Sequence, residues 1–271
     1  MMKKGIGILF IGDVFGKPGI NNLEKNIPLL KEKYKIDFII AQGENVSGRK
    51  GLNENDYLQL KKIGINAITL GNHVWADENI YKIIDNPEII RPYNINKNYK
   101  GHGTSVFTVN GYKLRITSML GITFNKLLFP WNEETADNFF DAFDQIYKKD
   151  QVEKNVDFHI IDFHAETTSE KSVFGLYVDG KVDAFIGTHT HIQTNDAKIL
   201  PNGTLYITDA GMTGPMNAAI GANFDEVYQR MRYEKKIKFT VSKNKTQFNG
   251  VYLKLSKDQK RKKIIPISLD F

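Results

Sequence analysis

Apolar runs that stop abruptly at a glycine or a polar residue organise the first third of the chain. Ile6–Ile11, Phe38–Ala41 and Ala67–Leu70 are short and almost uninterrupted, the pattern of strands buried on both faces. Between them, Ile20–Tyr34 and Asn53–Ile63 space their apolar residues three and four apart, which predicts helices with one buried face. Pro18 near the start of the first and Asn53 as an N-cap of the second fit those boundaries. The order strand, helix, strand, helix, strand predicts parallel pairing in a sheet covered by helices. The opening MMKKGIGILFIGD sets two lysines ahead of an apolar stretch, as a secretory signal does. Gly12-Asp13 follows at once with no small-residue cleavage site, so the segment reads as a first buried strand.

The pattern changes in the second half. Ser105–Val109 and Tyr112–Ser118 flank Asn110-Gly111, a two-residue hairpin signal. Glu134–Lys148 predicts a helix, Val156–Phe163 a strand, Ser169–Val178 a helix and Val182–Ile186 a strand. Ala197–Leu200 and Thr204–Thr208 flank Pro201-Asn202-Gly203, a second hairpin, and the chain from Lys236 onward predicts two or three antiparallel strands. Hairpins added to the earlier strand–helix units predict an α/β fold of two packed mixed β-sheets flanked by helices. A length of 271 residues suits one domain, 1–271, with a small cap-like insertion expected within about 75–130.

Composition narrows the chemistry. The absence of cysteine excludes disulfides, thiolate metal sites and a cysteine nucleophile, so any metal must be held by carboxylate, carboxamide or imidazole groups. It also fits a cytoplasmic protein. No apolar run approaches the ~18–20 residues that span a bilayer. The net charge of +6 and the pI of about 9.1 suit an anionic substrate or nucleic acid. The densest basic run, Lys257–Lys263, reads as a solvated turn between two strands rather than a nucleic-acid patch.

The informative polar residues fall at strand ends. Asp13 follows the first strand, Glu44-Asn45 the second through Gly43, and Asn72-His73 the third through Gly71. His164 ends Val156–Phe163, and His189 and His191 follow Val182–Ile186 through Gly187-Thr188. Ligands of open α/β sheets bind in the crevice beyond the carboxyl ends of the strands, so these groups are expected to converge. Of only six histidines, His73, His164, His189 and His191 sit at such ends, a clustering that random scatter would not produce.

Each residue alone has an ordinary explanation. Asp13 suits a turn or cap, Asn72 an Asx-turn, Glu44 a solvated carboxylate and His164 a satisfied core histidine. His189-Thr190-His191 is more specific, because residues i and i+2 of extended chain face the same side. Two carboxylates, carboxamides and three imidazoles without a thiolate suit divalent ions such as Fe, Mn or Zn. Six or seven ligands are too many for one tetrahedral zinc and suit two ions sharing a carboxylate. Two divalent ions, two carboxylates and a bridging hydroxide leave a charge of about +1, which favours an incoming phosphate oxygen. His159, inside a strand, reads as a core residue, and His102 in Gly101-His102-Gly103 as a loop residue. Gly211–Pro215 reads as a loop lining the pocket through backbone groups.

Taken in order, Gly12-Asp13-Val14, Gly43-Glu44-Asn45, Gly71–Trp75, Asp162–Glu166, Thr168–Lys171, Gly187–Thr194 and Thr208–Pro215 span most of the chain. The series resembles the calcineurin-like metallophosphoesterase superfamily and, in detail, its YmdB-like family. The wider superfamily opens with Asp-x-His, where this chain has Asp13-Val14-Phe15, and its bridging carboxylate is usually Asp, where this chain has Glu44. Both departures match the YmdB-like pattern. The resemblance implies a first ion on Asp13, Glu44, Asn45 and His191 and a second on Glu44, Asn72, His164 and His189. Glu44 is then the bridge, and Asn45 takes the place of the absent histidine. The resemblance also implies phosphodiester hydrolysis, with 2′,3′-cyclic nucleotides as substrates.

The mechanism expected on this basis has a hydroxide bridging the ions attack in line, while His73, beside Asn72, protonates the leaving oxygen as general acid. That role needs an imidazolium next to a net positive centre, and therefore an acidic partner that the sequence does not name. No substrate-binding residue is assigned. The expected partners are a small phosphodiester and further copies of the chain, with two divalent ions, Fe or Mn ahead of Zn, and no membrane. Two other readings stay open: a phosphomonoesterase or protein phosphatase, and a metal-stabilised regulator that binds RNA or a partner with little turnover.

Overall fold

The structure, a computed structural model, describes residues 5–270. β1 (Ile6–Ile11) leads into a short β2 (Asp13–Val14), then α1 (Gly16–Tyr34), β3 (Phe38–Gln42), α2 (Glu54–Ile63), β4 (Ala67–Thr69) and β5 (Ile89–Ile90). The hairpin of β6 (Thr104–Val109) and β7 (Tyr112–Leu120) follows, with α3 (Phe139–Glu153), β8 (Phe158–His164), α4 (Thr168–Tyr177) and β9 (Ala184–Thr188) after it. The remaining elements are β10 (Lys198–Ile199), β11 (Leu205–Ile207), β12 (Met212–Pro215), α5 (Phe224–Tyr233), β13 (Thr246–Leu255) and β14 (Lys263–Asp270).

Two mixed sheets result, as the sequence predicts. One has the order β2-β12-β13-β1-β3-β4-β5 with β14 paired to β13, and the other runs β10-β11-β9-β8-β7-β6. In the first, β1, β3, β4 and β5 are parallel, and β13 lies antiparallel to β1 and β14. In the second, β7, β8, β9 and β11 are parallel, with antiparallel β6 and β10 at the edges.

Side-chain alternation in each strand assigns the layers. Ile6, Ile8 and Phe10 of β1 face the second sheet and pack with Ile116, Ile160 and Ile186. Leu9 and Ile11 face the other way, onto Ile20, Leu23 and Ile27 of α1. On the far side, Phe163 and Phe185 pack against Phe143 of α3 and Phe174 of α4. Strands apolar on both faces are thus what a helix–sheet–sheet–helix stack requires, and each fully buried side chain of this kind contributes ~1.5–3 kcal/mol. Among the described residues no helix is long and apolar enough to cross a membrane.

Several boundaries differ from expectation for identifiable reasons. α1 begins at Gly16 rather than Ile20: Gly16 has φ 61°, which turns the chain out of β2, and its N–H donates to Asn45 O at 3.0 Å. Pro18 then lies in the first turn, where no N–H is needed. α3 begins at Phe139 rather than Glu134, because the preceding segment is tied down as a loop: Leu127 N donates to Glu134 O and Asp137 N to Asn94 O. Asn138 then caps the helix through Phe140 N at 2.9 Å. α5 was not expected, since its stripe of Phe224, Tyr228 and Met231 is exposed and it buries no residue. The C-terminal region supplies two strands, β13 and β14, and the Lys257–Lys263 run is the turn between them. That run is not wholly solvated: Lys262 is buried, with Nζ donating to Gly203 O at 3.0 Å and lying 3.3 Å from Asp183 Oδ1. Gly211–Pro215 is no loop either, because Met212–Pro215 forms β12 and pairs in parallel with β2.

Candidate metal centre

The carboxyl ends of β1, β3 and β4 bring Asp13, Glu44-Asn45 and Asn72-His73 to one end of the first sheet, and β8 and β9 bring His164 and His189–His191 to meet them. Glu44 is central and almost fully buried. Its Oε1 lies 2.9 Å from His73 Nδ1 and 3.2 Å from His164 Nε2, and its Oε2 accepts from His73 N at 2.9 Å. His164 Nε2 also lies 3.1 Å from Asn72 Oδ1 and 2.9 Å from His189 Nδ1. Ligand atoms of Glu44, His164 and His189 therefore fall within 4.8 Å of one another. On the other flank, Asp13 Oδ1 is 3.7 Å from His191 Nε2, and Asn45 Nδ2 lies 3.3 Å from Asp13 Oδ1 and 3.2 Å from His191 Nε2. Asp13 Oδ2 accepts from His189 N at 3.1 Å. Every predicted ligand residue is thus in this one cluster.

The imidazoles are aimed from behind, as metal-binding histidines are. His191 Nδ1 donates to Ile220 O at 3.1 Å, which leaves Nε2 facing Asp13. His189 Nε2 is 2.8 Å from Glu166 Oε2. His164 Nδ1 lies 2.9 Å from Thr188 Oγ1, whose own proton goes to Asp162 Oδ1 at 2.7 Å, and 3.1 Å from Gln42 Nε2. Glu166, Gln42, Thr188 and Asp162 were not picked out as site residues from the sequence. Glu166 carried a signal, lying two residues beyond His164 where the chain leaves β8.

Electrostatics describe a cluster short of positive charge. Burial opposes ionisation of Glu44, yet His164 and His73 outweigh it and hold the carboxyl well below its ordinary range. Burial would lower His164, but Glu44 and Asp13 push it up to about 9. Burial, with His164 beside it, pushes His189 down to about 2, so that ring is neutral. Burial raises Asp13, against the opposing influence of His191. His164 Nε2 faces a carboxylate oxygen, an amide oxygen and an imidazole nitrogen, so a proton there serves three acceptors at once. A divalent cation supplies the same compensation without a proton. The donor set of carboxylates, carboxamides and imidazoles therefore fits divalent metal.

His73 gains the acidic partner the sequence left unnamed: it is Glu44, and Asn45 Oδ1 lies 2.8 Å from the same Nδ1. Asn45 consequently turns its amide nitrogen, not its oxygen, toward Asp13 and His191. Phe15 occupies the position of the superfamily's missing histidine and is buried edge-on to His191, with ring centroids 5.6 Å apart. The residue just before β12 holds Asp13 by its backbone, since Asp13 N donates to Gly211 O at 2.9 Å. His159 is core, buried in β8 with Nε2 2.9 Å from Thr117 Oγ1. His102 lies on the Asp85 turn, 3.3 Å from Asp85 O.

The profile of the YmdB-like protein family matches residues 9–267. The chain belongs to the YmdB-like family. Among its relatives is the 2′,3′-cyclic-nucleotide 2′-phosphodiesterase of Bacillus subtilis, 41% identical over 261 residues, which cover 96% of this chain and 94% of that one. The crystal structure of a novel phosphatase from Mycoplasma pneumoniae superposes with a TM-score of 0.90 at 36% identity, covering 100% of this chain and 95% of that one. A hypothetical protein from Thermus thermophilus gives a TM-score of 0.88 at 32% identity, with 98% and 99% covered. The matched range and both superpositions extend over both sheets.

Proposed function

We propose that this chain is a metal-dependent phosphoesterase that hydrolyses phosphodiesters, 2′,3′-cyclic nucleotides among them. One observation carries the reading: Glu44 lies within reach of His164 on one side and His73 on the other, at the meeting point of strand ends from both sheets. The name of the Bacillus subtilis relative supports the cyclic-nucleotide substrate class. Asp13, Glu44, Asn45 and His191 would hold one ion, and Glu44, Asn72, His164 and His189 the other; the imidazole and oxygen donors suit Fe, Mn and Zn, and Fe or Mn is proposed ahead of Zn. Asn45 would turn its carboxamide over to present oxygen, giving up the contact of its Oδ1 with His73 Nδ1 and leaving Glu44 as the partner of that nitrogen. Divalent ions at such a centre polarise the phosphate and make a nucleophile available at neutral pH.

The chain's own residues supply the rest. His73 has Nδ1 fixed by Glu44, so its ring is oriented and Nε2 is the atom that delivers a proton to the leaving oxygen. The side chain is 24% exposed, enough to meet a substrate entering from solvent. The loop of residues 121–137 borders the centre: Gly121 N donates to His164 O at 3.1 Å and Trp131 Nε1 to Asn72 O at 2.8 Å. Its residues 121–130 fall within the region of about 75–130 where the sequence predicts a cap, and the loop would cover a bound substrate.

Turnover of bis-p-nitrophenyl phosphate and p-nitrophenyl phosphate, with Mn(II) added, tests the proposal. The diester is expected to be preferred, and His73→Ala should lose ~10²–10⁴ in kcat while keeping its metal. A strong preference for the monoester would overturn the diesterase reading.

A further inference from the structure

We infer that the buried Lys171–Asp209 pair is a positioning device for the metal-binding turn His189-Thr190-His191, an inference that rests on the two-ion reading above. Neither residue belongs to the ligand set, and both are fully buried. Lys171, from the second turn of α4, places Nζ 2.8 Å from Asp209 Oδ2. The same Oδ2 accepts from Thr190 N at 3.0 Å and from Thr190 Oγ1 at 2.8 Å. Asp209 thus grips the one residue between the two histidines, by backbone and side chain together.

The grip is needed because of the backbone on either side. His189 has φ 100° and His191 has φ 66°, values that few L side chains adopt, although His, like Asn and Asp, does so more often than most. An unconstrained turn of this sequence would relax toward negative φ and swing both rings away. With Thr190 held, the turn stays in the conformation that aims His189 at Glu44 and His164, and His191 at Asp13. Asp209 Oδ1 also accepts from Gly211 N at 2.9 Å, and Gly211 O in turn accepts from Asp13 N. Asp13 Oδ2 closes the circuit by accepting from His189 N. A single buried carboxylate is therefore connected to Asp13, His189 and His191, which belong to both ion sites. Lys171 is the cation that lets such a carboxylate be buried as a hydrogen-bond acceptor rather than drawn to the metals. The approach is tight: a Cβ on Gly187 would lie 1.8 Å from Thr208 O and 3.1 Å from Lys171 Cδ.

The test separates positioning from general stability. Thr190 is only half-buried, so Thr190→Val removes one hydrogen bond to Asp209 with little risk to folding, and Thr190→Ser keeps the hydroxyl. Mn(II) affinity and stoichiometry would be read by the EPR signal of free ion, with melting of metal-free protein measured in parallel. Thr190→Val is expected to weaken both ions together by ~10-fold or more, the usual effect of losing a residue that orients ligands. Its metal-free melting transition should stay in place, and Thr190→Ser should bind as wild type. His189→Ala, by contrast, should lose one ion and keep the other. Asp209→Asn and the double variant Lys171→Met/Asp209→Asn give a second measure, with weaker Mn(II) binding expected in whichever folds. Wild-type affinity for both ions in Thr190→Val would overturn the inference. If wild type itself binds one ion, the two-ion reading fails, while Thr190→Val still decides the positioning role through that ion's affinity.

Discussion

Glu44 shows how much of the site depends on single atoms. One carboxylate oxygen meets two imidazoles and the other caps a backbone N–H, so a shorter or uncharged side chain could not make all three contacts. The candidate ligands were legible because they are rare residue types at recurring places, one strand end after another. Glu166, Lys171 and Asp209 lie in the segments that carry the family resemblance, yet they and Gln42 received no role, because their importance lies in what they touch, such as a histidine reached from 23 residues away. His159 illustrates the opposite case, a histidine that is only structural. Burial, with the Arg115 guanidinium adding to it, pushes it down to about 3. An unfolded chain takes up this proton near its ordinary value of about 6.5, and the folded protein does not until about 3. Stability from His159 is therefore complete above about 6.5 and drains away as pH falls from there toward 3. His159→Gln should flatten that acid limb, so that melting temperature falls less between about pH 7 and about pH 4.5 than in wild type. An equal fall in both proteins would show that other groups govern acid unfolding.

Elements set the accuracy of the site through the turns that leave them. The sequence made β1, β3 and β4 visible because each is an apolar run halted by a glycine, and it made the β6–β7 hairpin visible through Asn110-Gly111. It hid α5, whose apolar stripe faces outward, and misplaced the start of α3, where backbone bonds to Glu134 and Asp137 hold a loop against its own helical pattern. It hid β12 as well, since a short strand that pairs with Asp13–Val14 has no period long enough to read. The turn after β4 makes the sharpest prediction. A Cβ on Gly71 would sit 2.3 Å from His164 Cδ2 and 2.5 Å from Glu44 Oε2. Gly71→Ala must therefore push His164 and Glu44 apart, at a cost of ~1–3 kcal/mol for an overpacked site. Bound metal measured after purification should fall below the wild-type content, and turnover should fall with it. Full metal content in Gly71→Ala would mean that this close approach does not set the geometry.

At the scale of the whole molecule, the proposed ions have a mechanical consequence. Asp13, Glu44, Asn45 and Asn72 come from the first sheet, whereas His164, His189 and His191 come from the second. Away from this edge the sheets are joined by apolar contacts such as Phe10, Ile116 and Ile160, and by Lys262 on Gly203 O and Asp183. At the edge, each ion would be gripped by residues of both sheets, so binding is available only to the folded stack and not to either half of the chain alone. Metal should therefore stabilise the protein by mass action, ~2.7 kcal/mol for each ion held at a hundred times its Kd. For a chain of this size that corresponds to roughly 5 °C in melting temperature per ion. Chelation is expected to lower the transition by that order, and restoring Mn(II) should recover it. Glu44→Gln, which removes the charge shared by both proposed sites, should melt at nearly the same temperature with and without chelator. His159→Gln, whose change lies in the core, should respond to chelation as wild type does. A wild-type protein whose melting temperature is indifferent to chelator, although metal analysis shows the ions removed, would mean that the sheets hold their alignment without the centre.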